Sequence, residues 1–161
     1  MALLSQEDPD GMEDPLCLTL SDVSRAHFYA QSVREVFIQL PPEDPRYGQS
    51  DVCGKLLRTM YGTLDAAERW SDHYSTILKS AGFIQGQASP CHFMHPGWGV
   101  HLVVHGDDFI TVARKAGRER TIKLLEDHFE IKSSTAGPCD GMPTELKVLG
   151  RIATCHEWGG H

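Results

Sequence analysis

The chain has 161 residues, of which 40% are hydrophobic and 23% are charged, the proportions of a soluble globular protein with one domain. Its net charge of −7 excludes a protein that binds nucleic acid mainly by bulk electrostatic attraction, because phosphate contacts need Lys and Arg. No apolar run is long enough to span a bilayer, and residues 1–13 lack the basic start and apolar core of a signal peptide. We therefore expect an intracellular, soluble protein with no membrane partner.

The acidic excess lies at the front of the chain. Ten acidic and three basic residues precede Val52, whereas the rest of the chain has twelve of each. Residues 1–15 combine Asp, Glu, Pro and Gly with little apolar content, which predicts a disordered N-terminus. The five cysteines are widely spaced, form no C-x-x-C pair and indicate reduced thiols in a reducing compartment.

The first ordered segments are short. Leu16 to Asp22 alternates in polarity and predicts a strand that ends in a carboxylate. Ser24 to Ser32 indicates a turn or a short helix. Val33 to Leu40 alternates again and predicts a second strand, which the Pro41-Pro42 pair ends.

The clearest helical pattern extends from Thr63 to Ala81, where apolar residues recur every three or four positions. Thr63 is the expected N-cap, and Gly82 is the expected C-terminal stop. Trp70 and Tyr74 lie on the apolar stripe, so we expect them in the core.

A hairpin is predicted after this helix. Pro90 to His95 indicates a strand, and the residues after it, through Gly99, indicate a turn. Val100 to His105 and Phe109 to Ala113 then predict two strands joined by a tight turn that carries Asp107 and Asp108.

The last third of the chain contains a second amphipathic pattern from Gly117 to Ile131. Its expected inward residues are Ile122, Leu125 and Phe129, and its expected outward residues are Arg118, Arg120 and Lys123. A loop to Pro143, a strand from Lys147 to Ala153 and a flexible tail over residues 154–161 should follow. Two helices on one face of a mainly antiparallel sheet predict an α+β fold.

Three acids are candidates for a site. Asp107 and Asp108 repel each other, and a divalent cation bound through carboxylate oxygens would relieve that repulsion. Asp22 follows another strand and could reach the same edge of the sheet. Such a trio suits two-metal phosphoryl or nucleotidyl transfer. The alternative is an ordinary solvated turn, since Gly and Asp are common in turns.

The order of several short motifs resembles the reverse transcriptase of copia-type LTR retrotransposons, over roughly Leu16 to Ile152. The matching segments are Asp22-Val23-Ser24-Arg25-Ala26, residues 35–42, residues 57–62 with Ala66 and Arg69-Trp70, Ala81-Gly82-Phe83, Ser89-Pro90-Cys91-His92-Phe93, Asp107-Asp108 and Leu149-Gly150.

This resemblance implies a polymerase palm over residues 16–153, with Asp22, Asp107 and Asp108 as catalytic and metal-binding acids. It also implies two Mg²⁺ ions, for which Mn²⁺ could substitute, and a metal contact from the backbone carbonyl of Val23. His27 takes the position of an aromatic residue beside the nucleotide sugar, with Phe28 next to it. The implied partners are deoxynucleotides, an RNA or DNA template-primer and other segments of a Pol polyprotein, in a cytoplasmic particle or the nucleus.

The chain departs from that family's pattern in three respects. His105-Gly106 stands where Tyr-Val usually precedes the aspartate pair, and Asp65 and Ala67 replace the usual Gln and Pro. No Lys or Arg precedes Arg25, so the basic fingers residues that grip a triphosphate are not found. We therefore expect a palm-centred fragment that needs fingers and thumb segments and that has little activity alone.

Two alternatives remain open. The first is a catalytically inactive retrotransposon-derived remnant, which would have the same fold without primer extension. The second is a small zinc-binding module that uses Cys139, Cys155, His156 and His161, although their spacing fits no common zinc finger.

Overall fold

A computed structural model describes residues 14–139 and 141–155, and it has the α+β fold that the sequence predicts. Its elements are β1 (Cys17–Val23), β2 (Phe37–Ile38), β3 (Gly54–Lys55), α1 (Ala66–Ser80), β4 (Ile84–Gln85), β5 (His92–His95), β6 (Val100–His105), β7 (Asp108–Ala113), α2 (Lys115–Glu126), β8 (Ile131–Ala136), β9 (Glu145–Val148) and β10 (Arg151–Thr154). Short 3₁₀ helices cover Ala26–Tyr29 and Pro96–Trp98. No helix within the described ranges has the length and apolar character needed to cross a membrane.

The chain forms two compact units. The first consists of Met1–Val23 and Phe83–His161, and the second is Ser24–Gly82. The main sheet belongs to the first unit and has the strand order β4-β5-β6-β7-β1-β8, with every neighbouring pair antiparallel. The predicted hairpin of β6 and β7 is confirmed, and β1 lies between β7 and β8.

One face of this sheet is covered by α2. Leu102, Val104 and Phe109 on that face are almost fully buried, as is Leu125 on the helix. The ring of Phe129, just after the helix, lies 6.2 Å from the ring of Phe109. These apolar contacts place the core of the first unit between α2 and the sheet.

The opposite face of the sheet carries the residues that alternate with the covered ones, and we call it the open face. It includes Leu20 on β1, Ile110 on β7 and Val103 on β6, which lie in register across the strands, and Val112, two residues further along β7. Val103 and Val112 are 41% and 37% exposed. The sheet is therefore buried on one side only, which antiparallel sheets tolerate well.

The second helix differs from its predicted extent and orientation. It covers Lys115–Glu126 instead of Gly117 to Ile131, and Phe129 is buried beyond its end. Arg118 was expected to face outward, but it is only 8% exposed. Burial raises the pKa of the nearby Cys17 thiol, and the Arg118 charge partly opposes this increase.

The predicted loop between Ile131 and Pro143 is partly wrong, because residues Ile131–Ala136 form the edge strand β8. This strand pairs with β1 in the sheet, and on the covered face the side chains that meet across the pair carry hydroxyl groups. The Thr19 and Thr135 hydroxyls are 2.9 Å apart, and those of Ser21 and Ser133 are 2.8 Å apart. Because residues 132–135 are all polar, the sequence lacks the alternation of apolar and polar residues that would have predicted this strand.

The predicted last strand, Lys147 to Ala153, is a hairpin of two strands. Strands β9 and β10 pair antiparallel, and Leu149 and Gly150 form the turn between them with φ angles of 49° and 76°. Two consecutive residues with positive φ are the mark of a type I′ turn, which suits the twist of paired strands.

The second unit contains α1, the helix with the clearest sequence pattern. Trp70 and Tyr74 are buried as predicted, and their rings meet edge to face at 5.4 Å. Thr63 is not the N-cap, because the helix begins at Ala66 with Asp65 as its N-cap. The Thr63 hydroxyl instead donates to the Met60 carbonyl at 2.9 Å and closes a turn before the helix.

The predicted strand from Val33 to Leu40 is much shorter in the structure. Only Phe37–Ile38 pairs, with Gly54–Lys55, although the Leu56 N–H also donates to the Val36 carbonyl at 2.9 Å. The side chains of Val36, Ile38 and Leu40 are half-buried and alternate with exposed neighbours, so the predicted faces are correct.

The expected disordered N-terminus, residues 1–15, lies outside the described residues up to Glu13. Asp14 is described, and its carboxylate accepts the Lys115 N–H at 3.0 and 3.2 Å from its two oxygens. This contact satisfies a free donor at the first turn of α2, as an N-cap side chain would.

A glycine allows α2 to approach the Pro96–Trp98 helix closely. A Cβ on Gly117 would lie 2.3 Å from the Trp98 carbonyl oxygen and 2.9 Å from Val100 Cγ2. In an open helix Gly→Ala would stabilise the protein by about 1 kcal/mol, but a clash with backbone costs about 1–3 kcal/mol. We expect Gly117→Ala to lower the free energy of unfolding in urea, while Glu119→Ala on the exposed side should change it little. Stabilisation by Gly117→Ala would contradict this close approach.

Candidate functional site: a row of charged side chains across the sheet

Four polar residues stand side by side at one end of the open face. His105 on β6 pairs with Asp108 on β7, Asp108 pairs with Asp22 on β1, and Asp22 pairs with Lys132 on β8. Residues directly opposite each other in an antiparallel sheet project from the same face. We call these four residues the acid row.

The two aspartates of the acid row are close neighbours. The Val23 N–H donates to the Asp107 carbonyl at 3.0 Å, so Asp22 and Asp108, the next opposed residues, form a non-hydrogen-bonded pair. In such pairs the Cα atoms are about 4.5 Å apart, and the side chains are closer than in hydrogen-bonded pairs. Like charges in this arrangement destabilise a sheet.

Asp107 lies beside this pair in the turn of the β6–β7 hairpin. The turn consists of Gly106 and Asp107, and Gly106 has φ +64°. Positive φ at the first turn residue is typical of a type II′ turn, for which glycine is preferred. The structure thus places the two adjacent acids differently, since Asp107 is in the turn and Asp108 is the first residue of β7.

Burial and the repulsion between neighbouring acids both disfavour negative charge at Asp108. The pKa of the Asp108 carboxyl is raised, first by burial and then by the neighbouring charges of Asp107 and Asp22, while His105 acts in the opposite direction. The direction of this shift shows that negative charge at Asp108 is unfavourable in the folded chain. A cation near the three acids would offset the part of this shift that their mutual repulsion causes.

Lys132 is the residue that sequence reasoning missed. It places a base next to Asp22 across the β1–β8 pairing, on the side away from Asp108. The sequence signal that could have identified Lys132 was its position directly after the apolar Ile131. The residues around it were instead interpreted as the end of a helix and a loop. With Lys132 included, the acid row has a negative centre with a histidine and a lysine at its two ends.

The donor chemistry of the three acids suits Mg²⁺ or Mn²⁺, which bind carboxylate and carbonyl oxygen. Within the described part of the chain, no three His, Cys, Asp or Glu side chains converge closely enough to hold an ion as they stand. Asp22 and Asp108 are nevertheless fixed opposite each other by backbone pairing, so rotation of side chains alone would bring their oxygens together.

His27 and Phe28, the expected nucleotide contacts, belong to the Ser24–Gly82 unit. The His27 ring meets the Tyr61 ring edge to face at 4.4 Å, and its Nδ1 is buried without a hydrogen-bond partner among the described residues. Phe28 is 44% exposed and lies 6.4 Å from the same tyrosine ring. Together they form an aromatic cluster that is partly open to solvent.

The residues of the zinc alternative are only partly described. Cys139 and Cys155 are half-buried free thiols, whereas His156 and His161 lie outside the described residues. The described portion of the chain shows no cluster of three metal-binding side chains that would include either cysteine.

Comparison with known proteins gives a distant relationship. The chain is 24% identical over 135 residues to the truncated transposon Ty1-A Gag-Pol polyprotein of Saccharomyces cerevisiae, which is 83% of this chain and 11% of that polyprotein. Its identity to the transposon Ty1-DR5 and Ty1-LR2 Gag-Pol polyproteins of the same yeast is also 24%, over 7% of each. This chain is similar to a retrotransposon polyprotein. No family model matches it.

The Ty1 similarity supports a retrotransposon-derived protein, in agreement with the retrotransposon origin that the sequence predicts. The matched region is a small fraction of each Ty1 polyprotein, so the similarity concerns one segment of a much longer chain.

The raised pKa of Asp108 predicts a pH-dependent effect on stability. Because the folded state holds this proton more tightly than the unfolded state, the stability associated with Asp108 is complete at low pH and is lost as the carboxyl ionises. Asp108→Asn should therefore raise the free energy of unfolding at neutral pH, and the gain should disappear below about pH 4. Urea unfolding at several pH values measures it, with Glu145→Gln on β9 as the control. A loss of stability at neutral pH would contradict the repulsion described here.

Proposed function

We propose that this chain is the palm segment of a retrotransposon reverse transcriptase and that Asp22, Asp107 and Asp108 are its catalytic carboxylates. The observation that carries the proposal is the direct pairing of Asp22 with Asp108 on the open face, with Asp107 in the adjoining turn. The Ty1 similarity covers 83% of this chain and supports the retrotransposon origin that this proposal assumes.

The three carboxylates, with the Val23 carbonyl, would hold Mg²⁺, and the ions when bound would activate the primer hydroxyl and stabilise the leaving oxygen. The chain itself contributes position. Pairing of β1 with β7 fixes the two acids from distant parts of the sequence, and the tight turn at Gly106 fixes the third. Lys132 would supply positive charge near Asp22 when a phosphate approaches.

The open face is suited to a large ligand. Val103 and Val112, two apolar residues of this face, remain accessible, so that a template-primer could lie across the strands without unfolding any described element. The acidic excess before Val52 opposes such binding, because it repels phosphate and should keep the affinity for nucleic acid low.

Binding of a paramagnetic ion tests the site directly. In an NMR spectrum of the labelled chain, substoichiometric Mn²⁺ should broaden the amide signals of residues 22–23 and 106–108 first, and excess Mg²⁺ should reverse the effect. Asp107→Asn and Asp108→Asn should each weaken this broadening, whereas Glu145→Gln should leave it unchanged. Equal broadening in all variants would exclude these acids as the metal site and would favour the non-catalytic alternative.

A further inference from the structure

Two histidines on the open face form a pair that the acid row does not use. His92 on β5 lies opposite Val103 of β6, and His101 on β6 lies opposite Met94 of β5, so the two histidines are diagonal neighbours. His101 Nδ1 is 3.4 Å from His92 Nε2. The two rings are within 9° of parallel, and their centroids are 5.6 Å apart.

The separation of the two nitrogens matches that of two ligands on one metal ion. Zinc–imidazole bonds are about 2.0–2.1 Å long, and two such bonds at the tetrahedral angle hold their nitrogens about 3.4 Å apart. In the structure the two nitrogens face each other. An ion would take the place of the shared proton but would lie to one side of the line between the nitrogens, so each ring would rotate to direct its lone pair at the ion. The rotation would be larger for Cu²⁺, which prefers tetragonal geometry, than for tetrahedral Zn²⁺.

The setting of the pair favours binding. His101 is exposed and His92 is half-buried, so an ion can enter from solvent, while both residues are held on paired strands. Preorganised ligands lose little conformational freedom on binding. His101 is four residues before His105, about 13 Å along the strand, so the pair is separate from the acid row.

The imidazole nitrogens determine which metal ions such a site would bind most tightly. Neutral imidazole suits Cu²⁺, Ni²⁺ and Zn²⁺, whereas Mg²⁺ prefers carboxylate and water. The affinity of nitrogen ligands for these ions is highest for Cu²⁺. A site with two protein ligands leaves the other coordination positions to water or to a small donor molecule.

We propose that His92 and His101 form a two-histidine binding site for a divalent transition-metal ion, with Cu²⁺ bound more tightly than Zn²⁺ or Ni²⁺. The site is distinct from the carboxylates that would hold Mg²⁺. It does not depend on the proposed polymerase function.

The experiment uses the full chain with His156→Ala and His161→Ala as background and with its accessible thiols alkylated under native conditions, because these two histidines and the exposed thiols of Cys53 and Cys91 are competing metal ligands. Isothermal titration calorimetry with CuCl₂ and ZnCl₂ measures the affinity of each variant. Imidazole NMR signals, broadened by substoichiometric Cu²⁺, identify the histidines involved. His92→Gln and His101→Gln are the test variants, and His128→Gln, at an exposed histidine just after α2, is the matched control.

We expect one Cu²⁺ per chain, selective broadening of His92 and His101, and a loss of affinity of about tenfold or more in each test variant, since removing one ligand abolishes chelation. His128→Gln should bind as the background chain does, and excess MgCl₂ should not compete. Unchanged affinity in both test variants would overturn the proposal, as would broadening centred on other histidines. Circular dichroism of each variant, compared with the background chain, verifies that the fold is retained.

Discussion

Trp70→Ala is expected to lower the free energy of unfolding by about 3–5 kcal/mol, the usual cost of deleting a large buried side chain. Trp70 is only 2% exposed, and within the Ser24–Gly82 unit its ring contacts those of Tyr74, Tyr29 and His73 at 5.4, 6.3 and 6.1 Å. Alanine would leave a cavity that three neighbouring rings cannot fill together. Urea unfolding followed by circular dichroism measures the loss.

Two variants separate packing from helix propensity in this prediction. Trp70→Phe retains an aromatic ring and should lose less than alanine does. Glu68→Ala, an exposed substitution on the same helix, should change stability by no more than about 0.5 kcal/mol. If Trp70→Ala also lost less than 1 kcal/mol, the apolar stripe of α1 would contribute little to the core of its unit.

Asp107→Asn is expected to abolish nucleotide addition, on the basis of the proposed function. Loss of one carboxylate removes a ligand and a unit of negative charge, and we expect activity to fall by about two orders of magnitude or more. The assay follows addition of a single deoxynucleotide to a labelled primer on an RNA template, in Mg²⁺ or Mn²⁺, at high protein concentration. Glu145→Gln should behave as the unmodified chain does.

We expect even the unmodified chain to add few nucleotides for each binding event. Seven excess acids before Val52 oppose a phosphate backbone, and Lys132 is the base that the sheet places beside Asp22. Addition that persists in Asp107→Asn would exclude the assigned chemistry. Absence of any addition in the unmodified chain, together with absent Mn²⁺ binding, would favour a non-catalytic remnant.

Strong periodicity made some elements predictable. The 15-residue helix α1 and the β6–β7 hairpin have apolar patterns that only one secondary structure satisfies, and their buried residues follow from those patterns. The strand β8 lacked such a pattern, because Ser133 and Thr135 meet hydroxyls on β1 instead of an apolar core. The orientation of α2 was also predicted wrongly. Arg118 was expected to face solvent because it is charged, but it is buried.

The site was predictable only in part for a similar reason. The adjacent acids Asp107 and Asp108 are visible in the sequence as a charged turn. The pairing of Asp22 with Asp108 is not, because it depends on β1 lying between β7 and β8 and on the register of that pairing. One residue of slip would have moved Asp22 to the other face. The position of Lys132 beside Asp22 depends on the register of β1 with β8, which the sequence does not show either.

The central position of β1 has a consequence for synthesis of the protein in the cell. This strand is synthesised before the other described strands, yet its partner β7 begins at Asp108, 85 residues after β1 ends at Val23. At roughly 5–20 residues per second, the strand waits for several seconds or longer before it can pair. Both of its edges are unsatisfied during that time, and its sequence, rich in Leu, Thr and Val, favours pairing with other chains. The nascent chain is therefore most vulnerable to aggregation before β7 is made, and a chaperone that covers the segment around Leu18 and Leu20 should improve its yield.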